Sequence, residues 1–471
     1  MDRKVDAMDI FRFKHSQNKR KQSILTFSNS LFLRSFLRGN LIWYGFLSLG
    51  ICLIIWIWPI YAETDLQQVP IVQVFDEAWE RINSEFYDPH FNGVDWKKMR
   101  EIYRPQVEKA ATRAEGYEII NRMISQLRAS HTRLYTPDEP AYYQLAAIFG
   151  KRVHGYSVAF GDKEVRYTDV GILTVTTPRG IFVKGVLEGS PAQEAGIQVG
   201  DQILEVDGKP FEPVASFRNK AGRPVRILIQ TTACKDMSSD ELRTDSCVRP
   251  NPEEKTVIPK EVDPNQMFLE AEKKSIRIFE ENGVKIGYIH IWSYARQTYQ
   301  DAFVEAIING QFASASALIV DLRDGWGGAS PEYLNVFNKN VPVMTTASRS
   351  GDKHKYDPQW RKPVVFLVNE GTRSGKEMLT YGFKKYRLGK VIGTPTAGAV
   401  LAGKPFYLSD GSLLMVAVRD VWVDGERLEG RGVQPDIHVD FPVEYAGGYD
   451  PQRAKALKVL AEEVKQSKQE S

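Results

Sequence analysis

The sequence predicts a multidomain α+β protein, and three changes of pattern along its 471 residues predict it. Apolar residues recur at helical spacing between about 69 and 127, short β-runs alternate with Gly-rich turns from about 153 to 230, and strands alternate with helices beyond about 263. The composition, 42% hydrophobic and 26% charged, is that of a globular protein. A formal net charge of +3 is near balance, so no whole-chain field points to nucleic acid.

The N-terminus departs from that balance. Arg3, Lys4, Arg12, Lys14, Lys19, Arg20, Lys21, Arg34 and Arg38 crowd the first forty residues, and the span 41–61 that follows carries no charge. A helix of that length covers about 30 Å, enough to cross a bilayer. The expectation is a basic cytoplasmic segment 1–40 and a transmembrane anchor or signal segment 41–61. The rest of the chain would then lie outside the cytoplasm, as in a single-pass protein of a bacterial inner membrane facing the periplasm. Cleavage at Ala62 would give a secreted form. Of the three cysteines, Cys52 lies in that span, while Cys234 and Cys247 flank a polar stretch and could close a local disulfide loop in an oxidising compartment. Two reduced thiols are the alternative.

Residues 66–150 read as a helical region. Val72, Phe75, Ala78, Trp79, Ile82 and Phe86 form one stripe, Trp96 to Val107 a second helix, and Ala114 to Leu127 a third; Pro137 and Pro140 are expected to stop further helix. In 153–262, Phe182 and Val183 lie in a strand, Ser190 caps a short helix ended by Gly196, Gln202 to Val206 is a strand, and Asp207-Gly208 is a hairpin turn. The run Gly-Ser-Pro-Ala…Ala-Gly-Ile…Gly-Asp…Ile-Leu…Val-Asp-Gly resembles a PDZ domain of the circularly permuted bacterial kind, here with a polar insert. That resemblance implies that Asp169, Val170, Gly171 and Ile172 form the carboxylate-binding loop, whose N–H groups would take a protein C-terminus while the peptide adds as a strand.

Residues 263–445 read as an α/β core. Lys285 to Ile291, Ala317 to Asp321 and Pro363 to Val368 are strands, with a helix from Tyr299 to Asn309, another from about Ser374 to Lys385, and a strand from Lys390. A C-terminal helix and a solvated polar tail are expected in 446–471. Ser374 follows a strand and a Gly-Thr-Arg turn and opens a helix. With Glu377 three residues on it has capping-box spacing, so it reads locally as an N-cap. The same position also exposes a nucleophile beside N–H groups able to hold an oxyanion.

The wider context separates the two. Asp321-Leu322-Arg323 followed by Gly327-Gly328, then LSDGSLLMV at 408–416 and LEGRGVQPDIHV at 428–439, resemble in order the segments of the C-terminal-processing (tail-specific) serine proteases. The resemblance implies an α/β catalytic core of crotonase-like type with Ser374 as nucleophile. Many members pair their serine with a lysine eleven residues before the Asp of the Ser-Asp-Gly turn, but here that position is Ala399. Lys404 would need a five-residue shift to serve, and Lys376 lies two positions after Ser374. The tricorn-like proteases and chlamydial protease-like activity factor, which this chain resembles in lacking that lysine, use serine and histidine with a supporting glutamate.

By that resemblance His131, in Ser130-His131-Thr132, is the base and Glu429 its carboxylate partner. Gly375, Gly327 and Gly328 would supply oxyanion donors, and Asp321 and Arg323 would brace the turn. No cofactor and no metal is implied. Partners would be protein or peptide substrates with accessible C-termini, and the membrane through 41–61, but not nucleic acid. The alternative is a catalytically inactive PDZ-containing adaptor that binds protein C-termini. A third reading is a lipid or retinoid carrier built on a similar core.

Overall fold

The computed structural model describes residues 69–231, 233–234, 247–248, 251–308 and 310–469. At its centre is a six-stranded sheet in the order Arg277–Glu281, Val284–His290, Ala317–Asp321, Val364–Val368, Lys390–Gly393, Ile437–His438. The first pair is antiparallel and all later pairs are parallel. Every residue of Ala317–Asp321 and Val364–Val368 is buried, as continuous β-branched runs must be when helices cover both faces. On one face Phe268, Phe303 and Phe383 pack against Leu318, Val320 and Phe366. On the other, Ala456, Leu460 and Val464 of the helix Pro451–Gln469 pack against Ile286, Ile319, Leu367 and Ile392. The expected solvated tail from 462 is therefore helix up to Gln469, with Val464 in the core.

The N-terminal helices Ile71–Glu85, Trp96–Glu108 and Arg113–Ser125 form one apolar cluster with a three-stranded antiparallel sheet made of Arg133–Tyr135, Leu413–Arg419 and Ala402–Tyr407. Asp95 and Thr112 cap the second and third helices by accepting from Lys98 and Glu115 N–H. The buried face of the first helix includes Val74, with Val72 only half-buried. Pro140 does not stop a helix but opens one, Pro140–Phe149. Proline lacks only an N–H that has no intrahelical partner at the first position, and its φ suits the helix.

The β-rich module is a five-stranded antiparallel sheet in the order Ile172–Thr177, Gly180–Val186, Gln202–Val206, Val225–Gln230, Glu253–Val257. Asp207 (φ 50°) and Gly208 (φ 72°) make the tight turn read from the sequence. Within the insert, Cys234 and Cys247 are paired residues of a two-stranded ribbon. The module meets the core through Lys184 and Asp324 (2.7 Å) and through Trp292 Nε1, which donates to Glu188 at 2.8 Å.

The inner-membrane, periplasm-facing placement is corrected. Among the described residues no helix is long and apolar enough to cross a membrane. The segments 1–40 and 41–61, with Cys52, lie outside the described residues.

Candidate active site

The strand Val364–Val368 ends in a turn fastened on several sides. Thr372 Oγ1 donates to Leu322 O at 3.0 Å and accepts from Asn369 N–H at 3.0 Å, and Asn369 Oδ1 accepts from the N–H of Asp324 and Gly371. This over-determined turn holds Ser374 at φ 56°, ψ −127°, a region sparsely populated for any side-chain-bearing residue. Its N–H donates to Ala399 O at 2.9 Å and to Glu377 Oε2 at 3.1 Å. Glu377 is fixed in turn by Thr396 Oγ1 at 2.6 Å and by the N–H groups of Gly398 and Ala399. Ser374 forms a capping box with Glu377, whose carboxylate accepts from the Ser374 N–H. It stands half-buried at the head of the helix Gly375–Lys385, available as a nucleophile.

Gly327 lies directly against it. A Cβ on Gly327 would sit 2.6 Å from Ser374 Cβ and 2.7 Å from Arg373 O, so only glycine lets the two loops come this close. The loop is pinned by Trp326 N–H on Trp292 O (2.9 Å) and by Lys376 Nζ on Asp324 O (2.8 Å) and Trp292 O (3.2 Å). Behind it, Arg323 bonds Asp321, Asp450 and Gln452. Among the described residues the N–H groups of Gly327, Gly328 and Gly375 have no acceptor, which leaves them free to bind an oxyanion.

His131 reaches Glu429 through one intervening atom. Its Nδ1 is 3.0 Å from Ser130 Oγ, and Ser130 Oγ donates to Glu429 Oε2 at 2.9 Å. A hydroxyl has one proton and an ionised carboxylate can only accept. The Ser130 proton therefore goes to Glu429, His131 Nδ1 carries the proton that Ser130 accepts, and Nε2 holds the ring's lone pair. Glu429 also accepts from Ser130 N–H (2.9 Å), Val400 N–H (2.8 Å) and Leu401 N–H (3.3 Å). Burial, and then the positive charge of Arg373, push the His131 pKa down to about 4, against the pull of Glu429.

One loop gathers these parts. Ala399 O holds Ser374 N–H, Val400 N–H holds Glu429, and a Cβ on Gly403 would lie 3.3 Å from His131 Cδ2. Ser374 and His131 are not hydrogen-bonded to each other. Ala399, where a lysine would stand in the Ser-Lys relatives, lies against the serine. Lys404 points elsewhere: it is half-exposed, 3.4 Å from Glu85 and over the Phe406 ring. Lys376 is fully buried with its ammonium on the carbonyls of Asp324 and Trp292, and burial lowers its pKa to about 7. Asp410 anchors the helical region by accepting from Arg113 (2.6 Å) and Tyr117 (2.7 Å). Among the described residues no cluster of His, Cys, Asp or Glu could hold a metal ion.

In the β-module, Asp169, Val170 and Gly171 form the bend before the edge strand Ile172–Thr177. The donors expected to meet a peptide carboxylate are already engaged. Val170 and Gly171 N–H donate to Asp169 Oδ1 at 2.6 and 3.0 Å, and Tyr167 Oη donates to Asp169 Oδ2 at 2.5 Å.

A β-module joined to a parallel-sheet core whose loops present a serine and free N–H groups defines the class. Residues 182–231 match the PDZ domain, residues 285–439 match peptidase family S41, and residues 71–125 match the tricorn protease C1 domain. The chain thus carries a peptidase family S41 core with a PDZ domain. It is 27% identical over 414 residues to a putative tricorn protease homolog 2 of Streptomyces coelicolor, covering 83% of this chain but 32% of that protein. It is 26% identical to a carboxyl-terminal-processing protease of Picosynechococcus, covering 73% of this chain and 76% of the relative. To the chloroplastic carboxyl-terminal-processing peptidase 2 of Arabidopsis thaliana it is 29% identical, covering 73% and 64%.

Proposed function

We propose that the chain is a serine endopeptidase that processes proteins near their C-termini through an acyl-enzyme on Ser374. The observation that carries this reading is the Ser130 bridge, which ties His131 to Glu429 and leaves Nε2 as the acceptor. His131 takes the serine proton as Oγ attacks the scissile carbonyl. The tetrahedral oxygen accepts from Gly375 N–H and the Gly327-Gly328 turn. The imidazolium, steadied through Ser130 by Glu429, returns its proton to the leaving amine. Water then repeats the sequence on the ester.

A substrate tail would add to the edge strand Ile172–Thr177 of the PDZ domain, its carboxylate displacing that of Asp169. Lys184 and Glu188 would pass this event to Asp324 and Trp292, residues that hold the oxyanion loop.

The test is labelling of the purified protein with a fluorophosphonate probe. Wild type and Lys404→Ala should label, whereas Ser374→Ala and His131→Ala should not. A folded wild type that fails to label, with or without a tail peptide, would move the protein to the adaptor class; loss in Lys404→Ala alone would restore a serine–lysine pair.

A further inference from the structure

We propose that Arg373 is a substrate-binding residue whose guanidinium takes a carboxylate of the peptide next to the scissile bond, so that acidic or chain-terminal residues are preferred there. This rests on the reading of Ser374 as the nucleophile.

Arg373 immediately precedes Ser374, and its backbone shares the same fixed turn: its carbonyl accepts from Lys376 N–H at 3.2 Å and abuts Gly327. The side chain lies over the Trp326 indole, 5.8 Å from the ring centroid. That indole is itself held, its Nε1 donating to Gln144 at 2.8 Å. A guanidinium is planar, so its fork of donors points in fixed directions from that position.

What distinguishes Arg373 is that those donors meet nothing. Its Nε is buried without an acceptor. Among the described residues its side chain forms no hydrogen bond and no ion pair. By contrast Arg323, a buried arginine of this region, is surrounded by Asp321, Asp450 and Gln452. Glu429, the acid nearest the His131 imidazole, already accepts from Ser130, Val400 and Leu401. A buried donor without a partner is costly, and a stability role for this side chain would have supplied one.

Its positive charge is close enough to the His131 imidazole to lower that ring's proton affinity. Because His131 must face the leaving nitrogen, a cation on its side meets the residue that follows the scissile bond. A planar fork of N–H donors matches a carboxylate in two parallel hydrogen bonds. The carboxylate could come from an Asp or Glu side chain or from the free α-carboxylate of a terminal residue; the chemistry is the same, and the test separates the sources.

Full-length wild type, Arg373→Gln and Arg373→Glu would digest one peptide library with free C-termini and the same library amidated, with cut sites read by mass spectrometry. Wild-type cuts should be enriched for Asp or Glu after the scissile bond if the side chain is the ligand. If the α-carboxylate is the ligand, removal of the last residue should dominate and disappear on amidation. For a matched Glu/Gln pair of peptides, or a free/amidated pair, Arg373→Gln should lower kcat/KM for the carboxylate member roughly ten- to a hundredfold and leave its partner nearly unchanged. Arg373→Glu should move the preference toward Lys and Arg.

An identical cut-site profile in wild type and Arg373→Gln overturns the proposal, as does a uniform loss over all peptides, which a purely stacking role on Trp326 would produce. Fluorophosphonate labelling keeps the two ideas apart. Labelling of Ser374 without any carboxylate preference sinks this inference alone. If folded wild type neither labels nor cleaves, binding of the matched peptides to the Ser374→Ala protein, followed by fluorescence anisotropy, decides the inference by itself, and equal affinities reject it.

Discussion

Replacing Ser130 by alanine deletes the one atom that joins the His131 imidazole to the Glu429 carboxylate. The hydroxyl lies 3.0 Å from Nδ1 and 2.9 Å from Oε2. Glu429 would still accept from the N–H groups of Ser130, Val400 and Leu401, so it is not left bare. The cost to folding should stay near that of one ordinary hydrogen bond, about 1 kcal/mol. The cost to catalysis is larger. Nδ1–H loses its acceptor, the ring loses the contact that fixes its tautomer, and the imidazolium formed during attack loses its path to the carboxylate. Removing such a transition-state interaction should raise the barrier by roughly 2–4 kcal/mol, or about thirty- to a thousandfold in kcat/KM. Steady-state hydrolysis of a cleaved peptide measures the effect, thermal unfolding reports the folding cost, and Ser130→Thr, which keeps a hydroxyl, should recover most of the rate. A Ser130→Ala enzyme within about threefold of wild type would refute the relay.

The remaining predictions concern pH, the oxyanion loop and the PDZ bend. With the His131 pKa held down to about 4, kcat/KM should stay level through mildly acidic pH and fall only as the imidazole protonates near that value. The linked stability has the same sign: between the ordinary value of 6.5 and about 4 the unfolded chain binds the proton and the folded one does not, so stability falls as pH drops through that window. A pH profile whose acid limb sits at the ordinary histidine value would reject the buried, Arg373-facing imidazole. Gly327→Ala places a Cβ 2.6 Å from Ser374 Cβ, so the loops must part and kcat should fall about a hundredfold or more, with near-native circular dichroism. Asp169→Ala frees the N–H groups of Val170 and Gly171, and affinity for a tail peptide with a free C-terminus should rise about tenfold, with no gain for its amide. Equal affinity of that variant and wild type for the free-terminus peptide would remove the bend as the carboxylate site.

Much of the fold was legible because its signals are local. Ala317–Asp321 and Gln202–Val206 occur as strands with the bounds read from the sequence, since a β-branched run and a Gly-Asp or Asp-Gly turn act over a few residues. The helix over Pro264–Ser275 went unread, although Asp263, accepting from Asn265 and Gln266 N–H, and Pro264 at the first position form an ordinary start signal. Pro140 was misread for a related reason: a proline both ends and begins helices, and only the packing of Tyr142, Leu145 and Ala146 against Tyr407 and Leu413 decides which.

By itself the sequence determined the order of modules, the strand–turn–helix that presents Ser374 and the glycine turn at 327–328, because each is written in contiguous residues. It also determined that Ala399 leaves no lysine where Ser-Lys relatives have one. Tertiary structure alone decided how the remaining parts meet. Ser130 and Glu429 are 299 residues apart, and no spacing rule links a serine to a carboxylate at that distance. Only the folded chain shows that Lys404 is taken up by Glu85, that Asp169 covers its own loop and that Arg373 is left without a partner. Whether a polar side chain is satisfied depends on every group packed around it, and those groups come from segments that the chain brings together only on folding.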